Sequence, residues 1–147
     1  MGTVEDLRDI IRIWTGNSTL AAGLGLVKGV DPNTVILPST HNVEIVGITV
    51  SSQENVRDVV LLRRHGICLV HSEGTIVIGE ELICSTINVE SPPVISGRFV
   101  TPAAAKAAST DYVDTGDMLN ICGKALSASV PSNWIWMQVY KRFTVLE

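Results

Sequence analysis

The chain has 147 residues, which fits one domain, and 46% of them are hydrophobic while 18% are charged. Fifteen acidic against eleven basic residues give a net charge of −4, and an acidic chain with scattered cations is a poor binder of the phosphate backbone. The charged share is below the ~25% of average soluble domains, which leaves little polar material for the outside and points to a covering partner.

The N-terminal stretch MGTVEDLRDIIRIW lacks the cationic start of a signal peptide. No run approaches the ~18 apolar residues of a membrane-spanning helix, so no membrane contact is expected. Residues 5–14 carry Leu7, Ile10, Ile11 and Trp14 at helical spacing, yet DIIRIWT also suits a strand with Ile11 and Ile13 on one side. A strand or extended arm is preferred there, because everything downstream reads as β. The rest of the chain reads as one β-rich domain with no clear linker.

That domain is a series of short Val- and Ile-rich runs cut by Gly, Pro, Asn and Ser: VILP (35–38), EIVGITV (44–50), VRDVVLLRR (56–64), GICLVH (66–71), TIVIG (75–79), ELICSTINV (81–89), VISGRFV (94–100) and NWIWMQVYKRFTV (133–145). Such spacing predicts an all-β fold, a small barrel or sandwich of short antiparallel strands. TPAAAKAAST (101–110) is the best helix candidate, with Thr101 as cap and Pro102 at the first helical position; a loop over a sheet edge is the alternative. STDYVDTGDM (109–118) reads as a polar loop.

The last run has the clearest pattern. Strand alternation puts Ile135, Met137, Val139 and Phe143 on a core face and Trp134, Trp136, Gln138 and Tyr140 on the other. Large rings with polar tips on an outer face are typical of contact surfaces. Burial of both faces inside a sandwich is the competing account.

Candidate chemistry is sparse. GLGLVKG (23–29) lacks the Gly-Lys-Ser/Thr end of a phosphate loop and reads as a turn. His65, Cys68 and His71 have metal-like spacing, but in a strand the two histidines would stand about 20 Å apart, beyond any shared ion. Asp111, Asp114 and Asp117 recur every three residues, which does not match a calcium loop. Cys68, Cys84 and Cys122 are odd in number, have no CxxC and sit in apolar contexts, as buried thiols do. No nucleophile motif is present, and Asn17-Ser18-Thr19 is a glycosylation sequon by letter alone. No catalytic residue, metal or cofactor is expected. The competing functional reading is a small β-barrel enzyme or ligand-binding protein using His41, His65 or His71 beside the acidic loop.

Five segments in order carry a resemblance: LAAG with Gly23, EIVGITV with Gly47, GICLV with Gly66, GTIVIGEELI with Gly74, Gly79 and Leu82, and ICGKALSAS with Gly123, Ala125 and Leu126 before NWIWMQVY. The pattern spans residues 18–140 and resembles the capsid decoration (cement) proteins of tailed bacteriophages, including phage proteins sometimes labelled recombinase-like. The match is poorest over the Pro- and Ala-rich segment 87–117. The recombinase label finds no support in an acidic chain without a nucleotide loop. The resemblance implies a homotrimer on the outer capsid surface of the virion that clamps the major capsid protein. It implies an N-terminal arm over residues 1–17 ahead of a β-rich domain over residues 18–147, with trimer contacts at Trp134, Trp136 and Tyr140 and shell contacts from the arm at Ile10, Ile11, Ile13 and Trp14. A tail or baseplate β-domain shares this physics.

Overall fold

The computed structural model describes residues 10–15, 20–50, 59–85, 96–128 and 134–147. The described chain is all-β apart from one short helix, as its composition and run lengths predict.

The first half forms a closed barrel. Its strands are β1 (Ile10–Thr15), β2 (Gly25–Lys28), β3 (Thr34–Ile36), β4 (Gly47–Thr49) and β5 (Val59–Arg63), in the order β1-β3-β2-β4-β5. All pairs are antiparallel except β1 with β3, which run parallel. Leu20, Leu26, Val35, Val60 and Leu62 fill the barrel, with Ile11, Ile13, Leu37 and Val46 packed against them.

The expected arm therefore takes a different place over these residues. Ile10–Thr15 pairs with β5 from Ile10↔Arg63 to Trp14↔Val59 and with β3 at Trp14↔Thr34. Alternation turns the half-buried Ile11 and Ile13 into the barrel, and closure covers the edge that β5 would otherwise expose. Residues 1–9, 16 and 17 and the side chains of Ile10 and Trp14 lie outside the described residues. GLGLVKG enters β2 and leads to the hairpin with β3, closed by the Gly29 N–H donating to the Thr34 carbonyl at 2.8 Å. The turn expected over residues 23–29 is instead strand from Gly25 to Lys28, because these residues pair with β4 on one side and β3 on the other.

The second half is a five-stranded antiparallel sheet of β6 (Gly66–His71), β7 (Glu81–Ser85), β8 (Arg98–Val100), β9 (Met118–Ala125) and β10 (Trp134–Val145), in the order β6-β10-β9-β7-β8. It curls until its two edge strands meet at one parallel bridge, Ser72↔Phe99. Cys68, Val70, Leu82, Cys84, Phe99, Cys122, Ile135 and Met137 fill its concave side. All three cysteines are buried thiols outside any disulfide. Burial pushes the Cys122 thiol up to about 12 and raises Cys84 as well.

The other side of β7, β8 and β9 is covered by α1 (Pro102–Ala108). The Thr101 hydroxyl accepts from the Ala104 N–H at 3.1 Å and Pro102 opens the helix, so the cap signal in the sequence was sufficient. Ala105 is buried against Ile83, Val100, Val113, Leu119 and Ile121.

Two expectations fail for identifiable reasons. Val139 pairs with Gly123 but Arg142 pairs with Ile121, so β10 holds one extra residue there. The bulge reverses the alternation. Phe143, expected in the core with Val139, is 58% exposed. TIVIG forms no strand. Its Val77 N–H donates to Glu80 Oε1 at 2.7 Å, Gly79 takes φ +92°, and the segment folds into a turn.

Candidate interaction face

Strand β6 buries Cys68 and Val70 and turns Ile67, Leu69 and His71 outward. The first half of β10 buries Ile135 and Met137 and turns Trp134, Trp136 and Gln138 outward. The register matches these outward residues in pairs: Ile67 with Gln138, Leu69 with Trp136, His71 with Trp134. The His71 N–H donates instead to the Gly23 carbonyl at 2.9 Å. His71 and Trp134 are thus a non-hydrogen-bonded pair, the type whose side chains approach most closely.

The result is an apolar row on a sheet face that α1 does not cover. Ile67 is 57% exposed, Trp136 50%, and Leu69 and Trp134 39% each. Leu126 is exposed beside them, its N–H bonded to the Trp136 carbonyl at 2.8 Å. Sequence alternation located Trp134 and Trp136; it did not reveal that β6 lies beside β10 and doubles the row.

Tyr140 is placed differently. Its ring packs against the cluster under α1, and its hydroxyl donates to Glu81 Oε2 at 2.6 Å. Arg142 holds the same carboxylate through Nε at 3.0 Å and through Nη2. Arg142's hydrogen bond lowers the Glu81 pKa, while desolvation and then the Glu81 contact push Tyr140 up to about 12. Residues 59 positions apart make this group, so no sequence motif announces it.

The His/Cys pattern does not assemble. His65 is exposed before β6, Cys68 is buried inside the sheet, and His71 is half-buried on its outside. Among the described residues no group of three or more His, Cys, Asp or Glu is arranged to hold a metal ion. His41 meets Tyr112 edge-on at 5.1 Å. His71 lies against Trp134, and desolvation, then the charge of Arg98, lowers its pKa to about 4. The acidic loop builds its own turn: the Asp114 N–H donates to Asp117 Oδ2 and the Thr115 N–H to Asp114 Oδ1, both at 2.7 Å.

No protein-family model matches the chain, and no curated protein matches it in sequence. Its fold is similar to the crystal structure of the head fiber gp8.5 N base in bacteriophage phi29, with a TM-score of 0.60. That similarity covers 94% of this chain and 97% of the other at 12% sequence identity, so the two share a fold.

Proposed function

We propose that this chain is a non-enzymatic structural protein of a tailed-phage head, which decorates the outer capsid surface and stabilises the shell. The observation that carries this reading is the fold likeness to a phage head-fibre base over nearly the whole of both chains. It agrees with the resemblance in the sequence to capsid decoration proteins. A protein that binds the assembled shell and not its separate subunits stabilises the shell by mass action, with no chemistry required.

The working form is a homotrimer on the major capsid protein. Trp134 and Trp136, with Ile67 and Leu69 from the neighbouring strand, supply its self-contact: large flat side chains held on a rigid strand face lose little conformational freedom on burial. Tyr140, bound to Glu81 and packed under α1, supports β10 rather than meeting another subunit. Ile11 and Ile13 pack on the barrel core, so shell contact falls to other residues.

The test is to mix the purified protein with phage heads that lack it and image them. Saturable added density at threefold positions on the outside supports the reading. Heads that stay bare at saturating protein overturn it. Light scattering on the free protein checks the trimer separately, and a monomer at high concentration removes that part.

A further inference from the structure

The fold collects cations that the sequence scatters. Lys28 ends β2, Arg64 follows β5 and Lys141 sits in the β10 bulge. These three, with Glu44, Ile45 and Val46, line one open groove of about 330 Å³ between the barrel and the sheet. All three cations are exposed. Lys141 pairs with Glu44 at 3.6 Å, both side chains about half exposed. Lys28 and Arg64 make no ion pair among the described residues. The groove therefore holds a local charge of about +2 on a chain whose net charge is −4.

A second feature points the same way. The bulge between Val139 and Arg142 turns Phe143 out of the core. Phe143 lines a small recess that shares Glu44, Ile45 and Lys141 with the groove. Bulges commonly re-aim a side chain at a functional surface. Here one extra residue sets an exposed aromatic ring beside a basic groove, on a different part of β10 from Trp134 and Trp136. An exposed aromatic ring near an arginine has the composition of an interface contact, with the lysines as its polar rim.

We infer that this groove is the docking site for an acidic polypeptide segment, its carboxylates meeting Lys28, Arg64 and Lys141 and an apolar side chain meeting Phe143. The identity of the segment's owner as the phage head rests on the function proposed above; the chemistry of the groove does not. A polypeptide fits better than nucleic acid for two reasons. The overall negative charge repels a long polyanion. Glu44, Ile45 and Val46 in the floor and wall suit a sparse set of carboxylates with aliphatic neighbours, and not a continuous run of phosphates.

The experiment uses the full chain and a fluorescently labelled test peptide, Gly-Glu-Gly-Glu-Leu-Gly-Glu-Gly, with three spaced glutamates and one leucine, followed by anisotropy at low salt. Parallel arms use a labelled 12-base-pair DNA duplex and inorganic phosphate as competitor. Saturable binding of the test peptide is expected, weakened by salt and reduced about tenfold in Lys28→Glu/Arg64→Glu, with DNA bound more weakly. Lys28→Gln/Arg64→Gln gives a smaller loss in the same direction and guards against misfolding of the reversal variant. Lys106→Gln, which removes a cation on α1 outside the groove, leaves the affinity unchanged. Absence of saturable binding, equal binding by the Lys28/Arg64 variants, or tighter binding of DNA or phosphate overturns the inference. Heads that load the wild-type protein while the test peptide fails to bind sink the groove and leave the parent reading intact. Heads that stay bare while the peptide binds through Lys28 and Arg64 sink the parent reading and leave the groove.

Discussion

The imidazole of His71 lies against the indole of Trp134, ring centroids 3.7 Å apart and planes tilted by 41°. Burial and the nearby Arg98 charge hold His71 neutral, with a pKa lowered to about 4 from an ordinary value of 6.5. Between those two values the unfolded chain binds a proton there and the folded chain does not. The stability His71 contributes is therefore complete above about pH 6.5 and is lost as the pH falls through about 4. Carboxylates titrate in part of that window, so the comparison of wild type with His71→Gln isolates the histidine. The thermal midpoint of wild type falls more steeply from pH 6.5 to 4 than that of the variant. An NMR titration of the His71 ring gives a midpoint near 4; a midpoint near 6.5 contradicts this packing.

Trp136 tests the apolar row. It is half exposed, and its backbone N–H is held by Ser127 Oγ at 3.0 Å whatever side chain it carries. Replacing it with Gln removes apolar surface that meets water in the single chain, so the folded chain loses little stability, within about 0.5 kcal/mol. The change falls on association. Sedimentation of Trp136→Gln is expected to shift toward the monomer at concentrations where wild type associates. An unchanged association state removes Trp136 from the contact.

The row also marks where the sequence was readable and where it was not. Period-2 alternation over Trp134–Val139 is a local signal, and it placed Trp134 and Trp136 outside and Ile135 and Met137 inside correctly. It failed four residues later at Phe143, because a bulge is defined by the partner strand, and the pairing of Val139 with Gly123 and Arg142 with Ile121 is not written in β10 itself. The helix was legible in Thr101, Pro102 and the alanines after them, with a loop as the alternative that the structure removes. The basic groove was not, since Lys28, Arg64 and Lys141 meet only through the packing of barrel on sheet. The same holds for Glu81 with Tyr140 and Arg142.

That last group gives a prediction about β10. The Tyr140 hydroxyl donates to a carboxylate that Arg142 also holds, and the Glu81 side chain is 28% accessible while that of Arg142 is 50%. Tyr140→Phe removes a charge-assisted hydrogen bond without opening a cavity, at a cost of about 1 kcal/mol. Arg142→Gln removes an exposed pair and costs less. Chemical denaturation of the two single variants and the double variant measures the coupling. A double variant whose loss equals the sum of the single losses shows that the three side chains do not act as a unit.

The junction of barrel and sheet yields the sharpest test of the architecture. Gly25 opens β2 and lies so close to the sheet that a β-carbon there would stand 2.6 Å from Cys84 Sγ, 3.1 Å from Phe99 Cζ and 3.2 Å from Ile45 Cγ2. Cys84 and Phe99 are fully buried, so neither has solvent to move into. Gly25→Ala is expected to destabilise the chain by about 1–3 kcal/mol through overpacking. The nearest obstacle is a sulfur atom, which Cys84→Ala removes. That single change leaves a small cavity and costs stability by itself. Combined, the methyl group introduced by Gly25→Ala occupies the space the sulfur vacates. The double variant is therefore expected to be more stable than the sum of the two single losses predicts, by about 0.5 kcal/mol or more on the scale typical of touching residues. Denaturant unfolding of the four proteins measures it. Strict additivity would mean that residues 25 and 84 do not touch, and that the barrel and the sheet are not packed together in this register.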